Sequence, residues 1–273
     1  MTDHENQDPD LSAVEQLYDQ LENGAALEAL ATARTLLAAD GDDPVVRFLA
    51  GVACLDLDRP GEAAIELRHA VKLDPDDGEF RAQLSNAEFR CCQFDAALEQ
   101  AECAIELDDE LPDAHATRGL VLERQAAFDQ ADAAFARAAE LDEESFPMPV
   151  RVHDEIFEAA LLAARKVLPE NFQKHLGAVT VTVDLLPTEE LLNQSTPPLD
   201  PELLGLFVGV PLSEAGANPS GELPPQIWLF KRNLERVFPD FAELETEIAR
   251  TLHHELGHYL GLDEAELEAI DLG

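Results

Sequence analysis

The residues best suited to chemistry lie in Thr251-Leu252-His253-His254-Glu255-Leu256-Gly257-His258-Tyr259-Leu260-Gly261-Leu262-Asp263-Glu264. His254, Glu255 and His258 form the pattern H-E-x-x-H. On a helix, residues four apart share a face, so His254 and His258 can offer their imidazoles to one ion. Glu255 follows the first of them, where it can reach a metal-bound water and act as general base. Zinc brings the pKa of such a water down to about 7, which makes a hydroxide nucleophile available at neutral pH. The pattern predicts a site for one zinc ion that hydrolyses peptide bonds. The same pattern also arises by accident on solvated helices. Two neighbours argue against accident: the preceding helix is strongly amphipathic, and Gly261 stands three residues after the second histidine.

Two histidines leave the site incomplete, because a catalytic zinc takes three protein ligands and keeps a fourth position open. Only the 15 residues 259–273 follow His258, too few to bring a glutamate from a distant helix. Enzymes with a histidine at the eleventh motif position and a methionine turn do not fit either: that position is Glu264, and no methionine follows. The third ligand is therefore expected just past Gly261. It is Glu264 by spacing, or Asp263, one residue early but with the shorter carboxylate. No other cofactor is expected. Lys231 and Arg232 are candidates to stabilise an oxyanion, the plainer reading being solvent-exposed basic residues. Tyr259 is expected to pack. His253 has Gly257 four residues on, so it is read as a neighbour of the site or an exposed residue rather than a ligand.

A long helix must carry this motif. It starts after Phe238-Pro239, with Asp240 and Glu243 at N-cap spacing. Phe241, Leu244, Ile248, Leu252, Leu256 and Leu260 form its core-facing stripe. Gly261 is its left-handed cap, and one short helix is expected beyond. Upstream, an amphipathic helix is expected from Val150 to Val167, with Ile156, Ala159, Ala160, Ala163 and Val167 on one face. Val179-Thr180-Val181-Thr182-Val183 alternates as a strand with one buried face. Residues 186–201 read mostly as loop. Leu203 to Pro211 reads as a second strand, bulged at a glycine. Residues 213–225 read as a surface loop, and 225–231 as a third strand.

Residues from about 150 to 273 resemble the bacterial minimal-zincin family of small metallopeptidase domains. The resemblance lies in the opening helix, in Val179 to Val183, in Leu203-Leu204-Gly205-Leu206-Phe207-Val208-Gly209-Val210-Pro211-Leu212, in Ile227 to Phe230, and in His254 to Asp263. The family's pattern is H-E-x-x-H-x-x-G-x-x-D, and Glu264 stands where its aspartate is usual. The resemblance implies a compact α+β domain, with a few strands on a helix pair and the metal at the active-site helix. It also implies that a peptide substrate pairs with an edge strand, here Leu206 to Val210 or Ile227 to Phe230.

The first half of the chain repeats with a period of 34 residues: Ala29, Ala63, Ala97 and Ala131; Ala70, Ala104 and Ala138; Gly51, Ser85 and Gly119. Small residues at fixed places let two helices approach closely. Leu67 and Phe135 are expected to fill the space between hairpins. This pattern resembles the tetratricopeptide repeat. About four repeats fit, although Arg47 stands where the family often has tryptophan and Leu17 replaces a small residue in a degenerate first repeat. The resemblance implies an all-α solenoid whose concave face takes peptide or protein partners.

The expected fold is an all-α tetratricopeptide-repeat solenoid followed by a small α+β zincin-like domain. Its parts are an acidic tail (1–10), repeats (11–144), a proline-rich linker (145–149) and the zincin-like domain (150–273). Net charge is -39 and pI about 4.2, which argues against nucleic acid or anionic membrane as a partner. Residues 1–5 lack the features of a secretory start, and Cys54, Cys91, Cys92 and Cys103 read as buried reduced thiols, so a cytoplasmic protein is expected. The leading functional reading is a zinc peptidase whose repeats recruit substrate or partner. The other is a repeat-based interaction protein with a weak or inactive zincin domain.

Overall fold

A computed structural model of the chain describes residues 9–214, 224–237 and 240–269. The expected acidic tail up to Asp8, most of the 213–225 loop, and residues 238, 239 and 270–273 lie outside them. The chain divides after Phe146 into two compact units. Among the described residues no helix is long and apolar enough to cross a membrane.

The first unit is a run of helical hairpins. Its helices are α1 (Pro9–Glu22), α2 (Ala26–Asp40), α3 (Pro44–Asp56), α4 (Pro60–Leu73), α5 (Gly78–Arg90), α6 (Phe94–Leu107), α7 (Pro112–Arg124) and α8 (Phe128–Leu141). Each odd-numbered helix turns into the next through one left-handed residue: Gly24 (φ 70°), Asp58 (56°), Cys92 (58°) and Ala126 (58°). These positions are 34 apart. In each turn the following amide reaches back five residues, as Ala25 N–H does to Gln20 O at 2.8 Å and Ala127 N–H to Leu122 O at 2.9 Å. The first hairpin therefore keeps the turn of the others, and its large Leu17 is fully buried. Leu67 and Phe135 lie inside their own hairpins, not between hairpins as expected: a Cβ on Gly51 or Gly119 would meet them at 2.5 and 2.6 Å. Arg47, at the place where the repeat family often has tryptophan, hydrogen-bonds Glu66 of α4, and 34 residues on Arg81 bonds Gln100 of α6. Of the four cysteines only Cys54 is buried, the others being half-buried.

A left-handed alanine costs about 1–2 kcal/mol, and Ala126 is exposed. Ala126→Gly should relieve that strain with no packing lost. Allowing for the greater freedom of glycine in the unfolded chain, the expected gain is about 0.5–1 kcal/mol. It should appear as a higher urea midpoint with an unchanged slope.

The second unit begins with extended chain. Val150 N–H donates to Glu235 O at 2.8 Å and Val152 N–H to Glu235 Oε1 at 3.1 Å. These bonds hold the segment straight, so α9 (Asp154–Val167) starts later than expected. Its buried face is Phe157, Ala160, Leu161 and Ala164, rotated from the expected one, and Ile156 and Val167 are 43% and 68% exposed. The bulkier aromatic-containing stripe at i, i+3, i+4, i+7 is the one that packs. A short α10 (Glu170–Gln173) and a 3-10 turn lead to β1 (Thr180–Asp184). One turn of helix, α11 (Glu189–Leu192), interrupts the expected loop. After β2 (Gly205–Val208) and β3 (Gln226–Phe230), the chain enters α12 (Lys231–Val237), a helix the sequence reading lacked, then α13 (Phe241–Leu260) and α14 (Glu264–Ala269). The sheet order is β1-β3-β2, with β3 parallel to β1 and antiparallel to β2. Ile227, Leu229, Leu244, Ile248, Leu252 and Leu256 are fully buried in the core between sheet and helices.

Candidate metal centre

Local rules place α13. Asp240 caps it by accepting the Glu243 N–H at 2.9 Å. Leu244, Ile248, Leu252 and Leu256 anchor it, whereas Phe241, expected on the same stripe, is 37% exposed in the first turn. At the other end Gly261 (φ 92°) is left-handed, as its position predicts. Gly261 N–H bonds His258 O, and Leu262 N–H bonds Gly257 O, both at 3.0 Å. The chain then reverses into α14. A Cβ on Gly257 would lie 2.3 Å from Leu267 Cδ2, so the glycine inside the motif is what lets α14 pack on α13.

That packing gives the two carboxylates different partners. Asp263 Oδ1 accepts the Glu266 N–H at 2.9 Å, and Glu266 Oε2 accepts the Asp263 N–H at 3.0 Å. This reciprocal pair is the capping box of α14, and it occupies Asp263. The first residue of the helix, Glu264, turns to the histidines instead. Its Oε1 is 3.2 Å from His258 Nε2 and its Oε2 is 3.7 Å from His254 Nε2. The two Nε2 atoms are 3.0 Å apart. His254, His258 and Glu264 thus converge, with one donor atom from each within 4.8 Å of the others.

The donor set fits zinc. His258 Nδ1 lies 3.2 Å from Leu262 O. A carbonyl only accepts, so Nδ1 carries the proton and Nε2 presents its lone pair to the cluster. With both Nε2 atoms unprotonated, two imidazole nitrogens and a carboxylate would all offer lone pairs to one cation. A tetrahedral ion with Zn–N of about 2.0–2.1 Å holds neighbouring donors about 3.3 Å apart, close to the separations here.

Glu255 stands beside the cluster and is 6% exposed. Its Oε2 accepts the backbone N–H of Phe207 on β2 at 2.6 Å. Burial pushes its carboxyl above the usual range, and His254, His258 and the Phe207 amide pull it partly back. Glu255, the three clustered residues, Asp263, Phe207, Gly209 and Glu214 line one open cleft of about 530 Å³.

The other expectations divide. Tyr259 packs, with its ring centroid 5.8 Å from that of Phe207. His253 is half-buried against Phe172, and that burial lowers its pKa. Lys231 is neither exposed nor an oxyanion donor. It is buried between Asp154 Oδ1 (2.5 Å) and Glu235 Oε1 (3.7 Å), and no residue of α12 lines the cleft. β3 is paired on both sides, which removes Ile227 to Phe230 as an edge and leaves β2 beside the site. The Phe207 amide and the Leu262 carbonyl escaped the sequence reading, because a backbone group has no residue type to betray it.

The model of the zincin-like metallopeptidase family matches residues 176–273. Over those residues the C-terminal domain is similar to that family. The match begins at the 3-10 turn before β1 and takes in the whole sheet and the residues His254, His258 and Glu264. Solved structures of MamA are similar to the chain at a distance. One is 24% identical, covering 45% of this chain and 72% of its own, with a TM-score of 0.41. Another, residues 41 to the end of MamA from Desulfovibrio magneticus RS-1, is 21% identical over 51% of this chain and 78% of its own, with a TM-score of 0.44. No curated protein matches the chain.

Proposed function

We propose that the zincin-like domain is a zinc-dependent peptidase of the cytoplasm, and that the repeats of residues 11–144 recruit its substrate or a partner. One observation carries this reading: a His254–His258–Glu264 cluster with the buried carboxylate of Glu255 at its side, all opening on one cleft. His254, His258 and Glu264 hold the ion. When bound, zinc supplies Lewis acidity and a water acidified to a pKa of about 7. The chain's own residues do the rest. Leu262 O fixes the ring of His258, and the reversal at Gly261 delivers Glu264. Glu255 takes a proton from the attacking water at its carboxylate and passes it to the leaving amine. Residues 145–149 join the recruiting and reacting parts.

The full chain, purified without added chelator, is expected to carry one zinc per chain and to cleave unstructured peptides. Removing the metal should stop cleavage and adding zinc back should restore it. Absence of stoichiometric zinc would overturn the reading and leave an interaction protein built on the repeats.

A further inference from the structure

We infer that strand β2 is the positioning element for Glu255: the backbone amide of Phe207 aims the carboxylate, and Gly205 lets the strand come close enough. The inference rests on Glu255 as the base. Leu204 O accepts the Phe230 N–H at 2.9 Å, so Leu204 faces β3 in the ladder. Alternation then turns Leu206 and Val208 towards β3 and the amides of Gly205 and Phe207 away from it. Among the described residues no strand takes the Phe207 N–H, and Glu255 Oε2 accepts it at 2.6 Å.

Three further contacts fix the strand on α13. A Cβ at Gly205 would lie 2.6 Å from Thr251 Cγ2 and 3.0 Å from Glu255 Cγ, closer than side chains tolerate. The Phe207 ring packs on Tyr259, and beyond the strand Leu212 N–H donates to Tyr259 O at 2.7 Å. Gly205, Phe207 and Leu212 therefore follow Thr251, Glu255 and Tyr259 down one side of the helix. A glutamate has three rotatable bonds, and a buried one without a donor would rotate or become protonated. The amide ties one oxygen and leaves the other for a proton at the cleft. Any change that lifts β2 should therefore act on turnover and leave the metal ligands alone.

Hydrogen exchange on the full chain tests the contact without reference to turnover. The Phe207 amide is expected to exchange at least about tenfold more slowly in the wild type than in Glu255→Ala, with Leu206 and Val208 unchanged as ladder controls. Glu255→Gln should keep the protection, since its carbonyl still accepts. Equal exchange at Phe207 in wild type and Glu255→Ala would overturn the inference, whether or not the protein cleaves peptides. Turnover supplies the second arm. Gly205→Ala is expected to lower kcat about 100-fold with KM and zinc affinity unchanged. Adding Thr251→Ser, which removes the clashing methyl, should recover part of it. Wild-type kcat in Gly205→Ala would overturn the positioning role.

Discussion

Glu255→Gln is expected to lower kcat by about 100- to 10,000-fold and to leave zinc content unchanged. The substitution replaces one oxygen by an amide nitrogen and keeps the volume. The group is 6% exposed and packed between α13 and β2, so a smaller residue would leave a hole and a glutamine does not. Its remaining carbonyl can still accept the Phe207 amide, so the side chain stays aimed while losing the capacity to take a proton. Zinc should stay because the converging donors are His254, His258 and Glu264, and Glu255 is not among them. The fold should hold as well, since burial already disfavours the charged carboxylate. Peptide cleavage measured beside elemental analysis of the same sample separates these terms. Turnover within about tenfold of wild type would remove Glu255 from the chemistry and leave the metal to act alone.

The parts of this site that the sequence announces are those made by neighbours along one helix. His254 and His258 share a face because they are four apart, Asp240 caps because Glu243 follows at the right distance, and Gly261 reverses the chain because it accepts a positive φ. The 34-residue period works the same way: it reproduces one left-handed turn at Gly24, Asp58, Cys92 and Ala126, only one of which is a glycine. What did not show is set by contacts between distant segments. The buried face of α9 was misplaced because Ile156 and Val167 look as suitable as Phe157 and Leu161 until something packs against one side. Its start was misplaced because Glu235, on a helix far along the chain, holds residues 150–152 extended. That β3 is central and β2 an edge depends on pairing order, which three short apolar runs do not encode. The choice between Asp263 and Glu264 is different. Counting from His254 favours Glu264, and the capping-box spacing of Asp263 and Glu266 is a second signal in the sequence that points the same way.

That choice can be tested by treating the two carboxylates alike. Glu264→Ala is expected to weaken zinc binding by more than about 100-fold, and Asp263→Ala by no more than about tenfold. The asymmetry follows from what each oxygen does. Glu264 places its oxygens 3.2 and 3.7 Å from the two imidazoles, so its loss removes one of three protein donors and two histidines remain. Asp263 holds the Glu266 N–H, and its loss costs a helix cap, about 1 kcal/mol. That cost falls on α14, which has only six residues and would be marginal alone. Leu267, fully buried over Gly257, still pins the helix to α13, so Glu264 should keep its place most of the time. Asp263→Ala should therefore lower thermal stability slightly and zinc affinity slightly, in step. Glu264→Ala should lower affinity steeply with little change in the stability of the metal-free chain, because its side chain is 70% exposed and packs on little. Competition titrations against a chelator, with melting curves of the metal-free proteins, read both quantities. If Asp263→Ala proves the more damaging to zinc, then the capping box opens when the ion binds and the shorter carboxylate closes the site.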